Sequence, residues 1–180
     1  MLALLVKGLT YKQVAKALTQ PGHPMSDNTV RVHVHELYVR DYARGAFVVL
    51  IDDNEESLQS TKLSLKSFGC RVVNARSGGH AIERLQCEES MPQLVIPDYR
   101  LAGETGIEAI RMVINHQQAR FDDELDIALL IVSGDTAPVE MENVLKAGYL
   151  MLHKPLRFDA FYQAVNARLT MLASQGSSSM

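Results

Sequence analysis

The chain has 180 residues, 47% of them hydrophobic and 22% charged, with 11 Gly and 6 Pro; this is globular composition and excludes a collagenous, fibrous or wholly disordered protein. Its two cysteines, Cys70 and Cys87, are too few for a disulfide framework and have no metal-ligand spacing, which points to a reducing cytoplasmic compartment. No apolar run reaches the ~18 residues of a membrane span, so no membrane partner is expected, and Met1–Lys7 lacks the length and basic start of a signal peptide. The net charge of −3 taken alone argues against a nucleic-acid partner.

That charge is an average over two unlike parts. Residues 1–45 hold six Lys/Arg and three Asp/Glu, net +3, and the remaining 135 hold 12 and 18, net −6. In the first part, Lys7–Leu18 predicts a helix with Thr10 as N-cap and Val14, Ala15 and Leu18 on one face. Two prolines and a glycine in Gln20–Ser26 forbid its continuation. A second helix is predicted from Ser26 or Asp27 to Leu37. Val30, Val34 and Leu37 share its buried face, while Asn28, Arg31, Val32 and His35 point outward. Residues 41–46 are expected to be a short linker.

From residue 47 the pattern changes to alternating strand and helix. Phe47–Ile51 is a continuous apolar run of the kind that forms a buried parallel strand. A helix over 55–67 follows, with Leu58, Leu63 and Leu65 as its apolar positions and Gly69 as its stop. Then come a strand over 71–74, a helix over 79–85, a strand over 93–96 and a helix starting at 107–113. The strand Ile127–Val132, a helix over 139–147, the strand Leu150–Leu152 and a helix over 159–172 complete the series. Residues 173–180 are expected to be a disordered tail. Five strands alternating with five helices predict an α/β fold, a five-stranded doubly wound parallel sheet covered on both faces, behind a small N-terminal all-α segment.

Ligands of such sheets bind beyond the carboxyl ends of the strands. Asp52 and Asp53 follow the first predicted strand, Asp98 the third, Ser133 the fourth and Lys154 the fifth. Three carboxylates gathered in one crevice need a cation, and hard oxygen donors with open positions suit Mg²⁺. A carboxylate can attack phosphorus and form an acyl phosphate once the repulsion between anions is neutralised.

The acidic pair Asp52-Asp53, the segment Pro92-Gln-Leu-Val-Ile-Pro-Asp98-Tyr-Arg-Leu-Ala-Gly103, Val132-Ser-Gly134 and His153-Lys-Pro155 together resemble the receiver (CheY-like) domain of two-component response regulators, over residues 47–172. The resemblance implies a flavodoxin-like fold and a phosphoacceptor, Asp98, supplied by a histidine kinase or phosphotransfer protein. It also implies Mg²⁺ held by Asp52, Asp53, Asp98 and the main-chain carbonyl of Arg100, and phosphoryl contacts from Ser133 and Lys154. Ser133 and residue 151 would be the switch positions; Met151 stands where many receivers carry Tyr or Phe. In the family the peptide before Pro155 is usually cis. Such a domain is a phosphoacceptor with at most self-phosphorylation and self-dephosphorylation, not an enzyme in its own right. Pro97 departs from the pattern, because it removes a main-chain donor at the end of a central strand. A phosphatase with an Asp nucleophile would need Asp-x-Asp after the first strand, which the adjacent Asp52-Asp53 does not provide.

Leu5–Thr10, Lys12–Ala15 and Ser26–His33 resemble part of the LuxR-type helix-turn-helix of response regulators, over residues 1–40. This implies a DNA partner read by Asn28, Arg31, Val32 and His35, and a homodimer, since one recognition helix makes few contacts. The order of the two modules is reversed from the family's usual one, and the turn between the helices is longer. The alternative is a helical arm that does not bind DNA, attached to a receiver acting by protein contact or as a phosphoryl sink.

Overall fold

Phe47–Ile51 (β1) is buried at every residue, which a strand needs when helices cover both its faces. It leads through Asn54, an N-cap whose side chain accepts from the Ser57 N–H, into helix α1, Glu55–Ser67. There follow β2 (Arg71–Ala75), α2 (Gly78–Leu85), β3 (Leu94–Pro97), the two-residue strands β4 (Arg100–Leu101) and β5 (Glu104–Thr105), α3 (Gly106–Phe121), β6 (Ala128–Ser133), β7 (Leu150–His153) and α4 (Phe158–Gly176). The computed structural model describes residues 42–121, 126–134, 142–144 and 146–176. The chain divides into two units, residues 1–41 and 42–180. The first unit, with the predicted helix-turn-helix and its residues Asn28, Arg31, Val32 and His35, lies outside the described residues.

Five strands form one parallel sheet in the order β2-β1-β3-β6-β7, so the strand order reverses beside β1 and opens a crevice between β1 and β3 at their carboxyl ends. Alternate residues of each strand feed two cores. Val48, Leu50, Ile96 and Val132 pack with Leu58 and Leu65 of α1 and Phe161, Val165 and Leu169 of α4. On the other face Val49, Ile51, Val95 and Ile131 pack with Leu85 of α2, Ile110 and Val113 of α3, and Val144.

The structure corrects several sequence-based expectations. The expected linker belongs to the domain from Tyr42 on: Ala43 and Ala46 are buried in the core, the Gly45 N–H donates to the Gly69 carbonyl (2.8 Å), and Ala46 accepts from Arg71 N–H (2.9 Å). The expected tail is helical as far as Gly176, because α4 continues past residue 172. On α1, Leu63 is 67% exposed while Leu58 and Leu65 are buried; five residues beyond Leu58 a side chain has turned some 140° away, and Thr61 takes the inward place instead. The β4–β5 hairpin has no apolar signal and adds two short strands beyond the five predicted.

Candidate functional site

Four strand ends converge as their positions in the sequence suggest. Asp52 follows β1 and its side chain is 5% exposed; Asp98 follows β3, with its side chain 11% exposed. Lys154 follows β7, and its main-chain N–H donates to the carbonyl of Ser133 at the end of β6 (2.7 Å). Its ammonium lies 2.7 Å from Asp52 Oδ2 and 2.6 Å from Asp98 Oδ1. One cation therefore bridges two carboxylates from neighbouring strands and offsets their mutual repulsion. The Lys154–Pro155 peptide is cis.

The electrostatics follow from this packing. Burial raises the Asp98 carboxyl above its ordinary value and the nearby Asp52 charge adds to the rise; the Lys154 contact and the Arg100 N–H pull the other way without cancelling it. Burial alone would lower Lys154, but the hydrogen bonds and charges of Asp52 and Asp98 outweigh it and raise its pKa, keeping the ammonium protonated.

Both oxygens of Asp52 are engaged. Oδ1 accepts from the Asn54 N–H (3.0 Å), and Oδ2 accepts from the Ser57 hydroxyl (2.6 Å) as well as from Lys154. Asp53 is exposed and turns to the hairpin, where its Oδ2 accepts from the Ala102 N–H (3.1 Å). Asp98 Oδ2 accepts from the Arg100 N–H (3.1 Å). Ser133 is 1% exposed. Met151 pairs with Ile131 in the sheet and is partly buried against the core beneath α2 and α3.

The segment after Asp98 is drawn into a closed loop. The Gly106 N–H donates to the Tyr99 carbonyl (2.8 Å), and a Cβ on Gly106 would lie 2.4 Å from the Asp98 carbonyl oxygen. Only glycine lets the backbone approach so closely. Gly103 has φ +87°, the left-handed conformation that turns the hairpin. Glu104 on β5 accepts from the Gly78 N–H at the start of α2 (2.6 Å), tying the loop to that helix.

Among the described residues no three His, Cys, Asp or Glu side chains are gathered as a metal cage. The donor set still fits Mg²⁺, which typically takes one or two carboxylates and keeps several waters. Asp52, Asp53, Asp98 and the Arg100 carbonyl are the oxygens that could hold it, directly or through water.

Sequence reasoning missed Ser57 and Asn54, which fix the Asp52 carboxylate. Their signal is a helix start in which the third helical residue points back across the cap, here reaching the acidic pair itself.

A parallel five-stranded α/β sheet with an acidic crevice at its strand ends defines a CheY-like fold. Residues 48–166 match the response regulator receiver domain family. The chain belongs to that family and contains the receiver domain of a two-component response regulator. It is 27% identical over 121 residues to two-component response regulator ARR17 of Arabidopsis thaliana, covering 61% of this chain and 76% of the relative. It is 28% identical over 98 residues to ethylene receptor 4 of Oryza sativa subsp. indica, of whose length the match spans 13%. The structure of a CheY-like receiver domain protein from Methanospirillum hungatei superposes with TM-score 0.60 at 19% identity, over 73% of this chain and 98% of that one. Among the described residues no helix is long and apolar enough to cross a membrane.

Proposed function

We propose that this protein accepts a phosphoryl group on Asp98 from a histidine kinase or phosphotransfer protein, and that the acyl phosphate changes the output of residues 1–40. The observation that carries this reading is the Lys154 ammonium bridging the carboxylates of Asp52 and Asp98. In the transfer an Asp98 carboxylate oxygen attacks phosphorus, an O–P bond forms, and the bond to the donor's imidazole nitrogen breaks with the electron pair leaving on nitrogen. Lys154 neutralises charge that develops on the phosphoryl oxygens. Asp52, Asp53, Asp98 and the Arg100 carbonyl would hold Mg²⁺. When bound, Mg²⁺ supplies charge neutralisation between the carboxylate and phosphoryl oxygens. The Ser133 hydroxyl, at the end of β6, contacts the phosphoryl group and with Met151 relays its presence. Arg100, exposed beside Asp98, covers the phosphoryl group and slows hydrolysis.

The output we propose is DNA binding by a homodimer, through Asn28, Arg31, Val32 and His35. The support is the net +3 of residues 1–45 and the helix pattern there. The protein works as a cytoplasmic phosphoacceptor, without turnover of a separate substrate.

The test uses the full chain with a small-molecule phosphoramidate donor. Wild type with Mg²⁺ should acquire one hydroxylamine-labile phosphoryl group, and Asp98→Asn or chelated wild type should acquire none. Labelling that survives in Asp98→Asn overturns the site. In parallel, phosphoryl-dependent DNA affinity that falls steeply with salt supports the output, and DNA binding absent in both states overturns it.

A further inference from the structure

Hydrogen bonding along β3 is uneven on its two sides. Towards β1 the register is unbroken from Val48↔Leu94 to Ile51↔Pro97 and continues in the Asp98 N–H donating to the Ile51 carbonyl (2.7 Å). Towards β6 the ladder covers only Leu94↔Ala128 and Val95↔Leu129. It then lapses and returns as an isolated bridge, Asp98↔Val132, where the Tyr99 N–H donates to the Val132 carbonyl (2.7 Å). Stepping back two residues in the same register, the donor facing the Leu130 carbonyl would be the nitrogen of residue 97. Proline has no N–H there, so the lapse is written into the sequence.

On the far side of this break β6 is joined to β7 without interruption, from Leu130↔Leu150 to Ser133↔His153, and the Lys154 N–H closes on the Ser133 carbonyl. The break therefore separates Asp98 from the two strands that carry Ser133 and Lys154. Above it, the links across include the Asp98–Val132 bridge, with its Tyr99 N–H, and the ion pair from Lys154 to Asp98.

We propose that Pro97 is a positioning residue: it leaves a compliant seam in the sheet between the phosphoacceptor and the β6–β7 pair, so that Ser133 and Lys154 move as one body relative to Asp98. The seam stands on the hydrogen-bond pattern alone, and its use in phosphoryl sensing rests on the function proposed above. A continuous ladder would resist this motion by one more buried main-chain bond, a factor of about five in an opening equilibrium.

The two residues that follow β3 supply an internal reference, because Asp98 and Tyr99 are adjacent and donate to opposite neighbours. Site-resolved amide exchange of the full chain, corrected for intrinsic rates, should show the Tyr99 amide exchanging severalfold faster than that of Asp98. Pro97→Val supplies the missing donor; it should slow Tyr99 about fivefold and leave Asp98 little changed. Pro97→Ala, which adds the same donor with a smaller side chain, guards against a packing defect. Equal protection of the two amides in wild type, or a variant that slows both in proportion, overturns the seam. Beryllofluoride with Mg²⁺, a phosphoryl mimic, supplies the functional arm. Ser133 and His153 amide shifts should move together in wild type and by a reduced amount in Pro97→Val. Beryllofluoride that binds and shifts both proteins equally overturns the sensing role. Failure to bind wild type at all overturns the phosphoacceptor reading and leaves the seam to be decided by the exchange data.

Discussion

The two ends of the sheet hold charge in opposite ways. At the amino ends of the strands, Phe47 and Gln93 exchange hydrogen bonds (Phe47 N–H to Gln93 Oε1, 3.0 Å; Gln93 N–H to the Phe47 carbonyl, 2.8 Å). Arg71 stacks 3.6 Å over the Phe47 ring, pairs with Glu88 and donates to Ser90 (2.6 Å). Its one cation meets one anion, near the surface. At the carboxyl ends the buried Asp52 and Asp98 share the Lys154 ammonium and the exposed Asp53 adds a third carboxylate beside them, so negative charge is left over. Groups at the first end are satisfied within the fold. At the second, the excess charge is a cost that a bound cation would relieve, as binding sites often show.

The largest effect should come from crowding the carboxyl end. Gly106→Ala places a methyl 2.4 Å from the Asp98 carbonyl oxygen, and the obstacle is backbone, which cannot rotate aside. We expect a loss of about 3 kcal/mol, at the upper end for overpacking, read from urea unfolding. An alanine variant within 0.5 kcal/mol of wild type would show that the loop after Asp98 is not held as closely as its hydrogen bonds imply.

Cys70 sharpens the other end. Its thiol donates to the Ala43 carbonyl (3.3 Å), and burial pushes its pKa up to about 11, against about 8.5 for a free thiol. A raised pKa means the fold favours the protonated form. The contribution is complete below about pH 8.5 and is lost as the pH rises towards 11, at no more than about 1.4 kcal/mol per unit. Comparing wild type with Cys70→Ala isolates this slope from the lysines and tyrosines that titrate nearby. Parallel stability curves across that range would contradict it. In the native state iodoacetamide should modify exposed Cys87 and spare buried Cys70.

How much of this was legible beforehand depended on the kind of signal. The five strands were: the central ones because burial on both faces demands runs such as Phe47–Ile51 and Ile127–Val132, and the half-buried edge strands because short apolar runs still mark them. The convergence of Asp52, Asp98 and Lys154 was also legible, since a parallel sheet delivers the first polar residue of every strand to one edge. Leu63 is apolar but lies out of phase with Leu58 and Leu65 on the helix, so its apolarity alone does not mark burial. The hairpin after Asp98 stayed hidden, as its order comes from the close approach at Gly106 and the Asp53–Ala102 and Glu104–Gly78 bonds, contacts between residues distant in sequence. Pro97 was visible as an anomaly, but its meaning needed the register with β6. The roles of Ser57 and Asn54 likewise needed the geometry that brings their groups to Asp52.

The smallest effect is also the one most particular to the carboxyl end, because it has the opposite sign from an ordinary buried-site substitution. Most replacements at a side chain only 11% exposed destabilise. Here the Asp98 carboxyl is raised above its ordinary value, by burial first and the Asp52 charge as well. Ionised Asp98 is therefore less favourable in the fold than in the unfolded chain, even with Lys154 beside it. Asp98→Asn keeps the shape and removes the charge, leaving Lys154 to Asp52 and the Arg100 N–H to the side-chain carbonyl. At neutral pH with chelator present, the variant should melt about 2 °C higher, the scale on which a fraction of 1 kcal/mol appears in a domain of this size. Adding Mg²⁺ should narrow the gap by stabilising wild type more than the variant, since a cation that binds only the native state adds stability according to its affinity. A variant that melts lower in chelator would mean that the Lys154 bridge outweighs the crowding of carboxylates, and that this end of the sheet is balanced as the other one is.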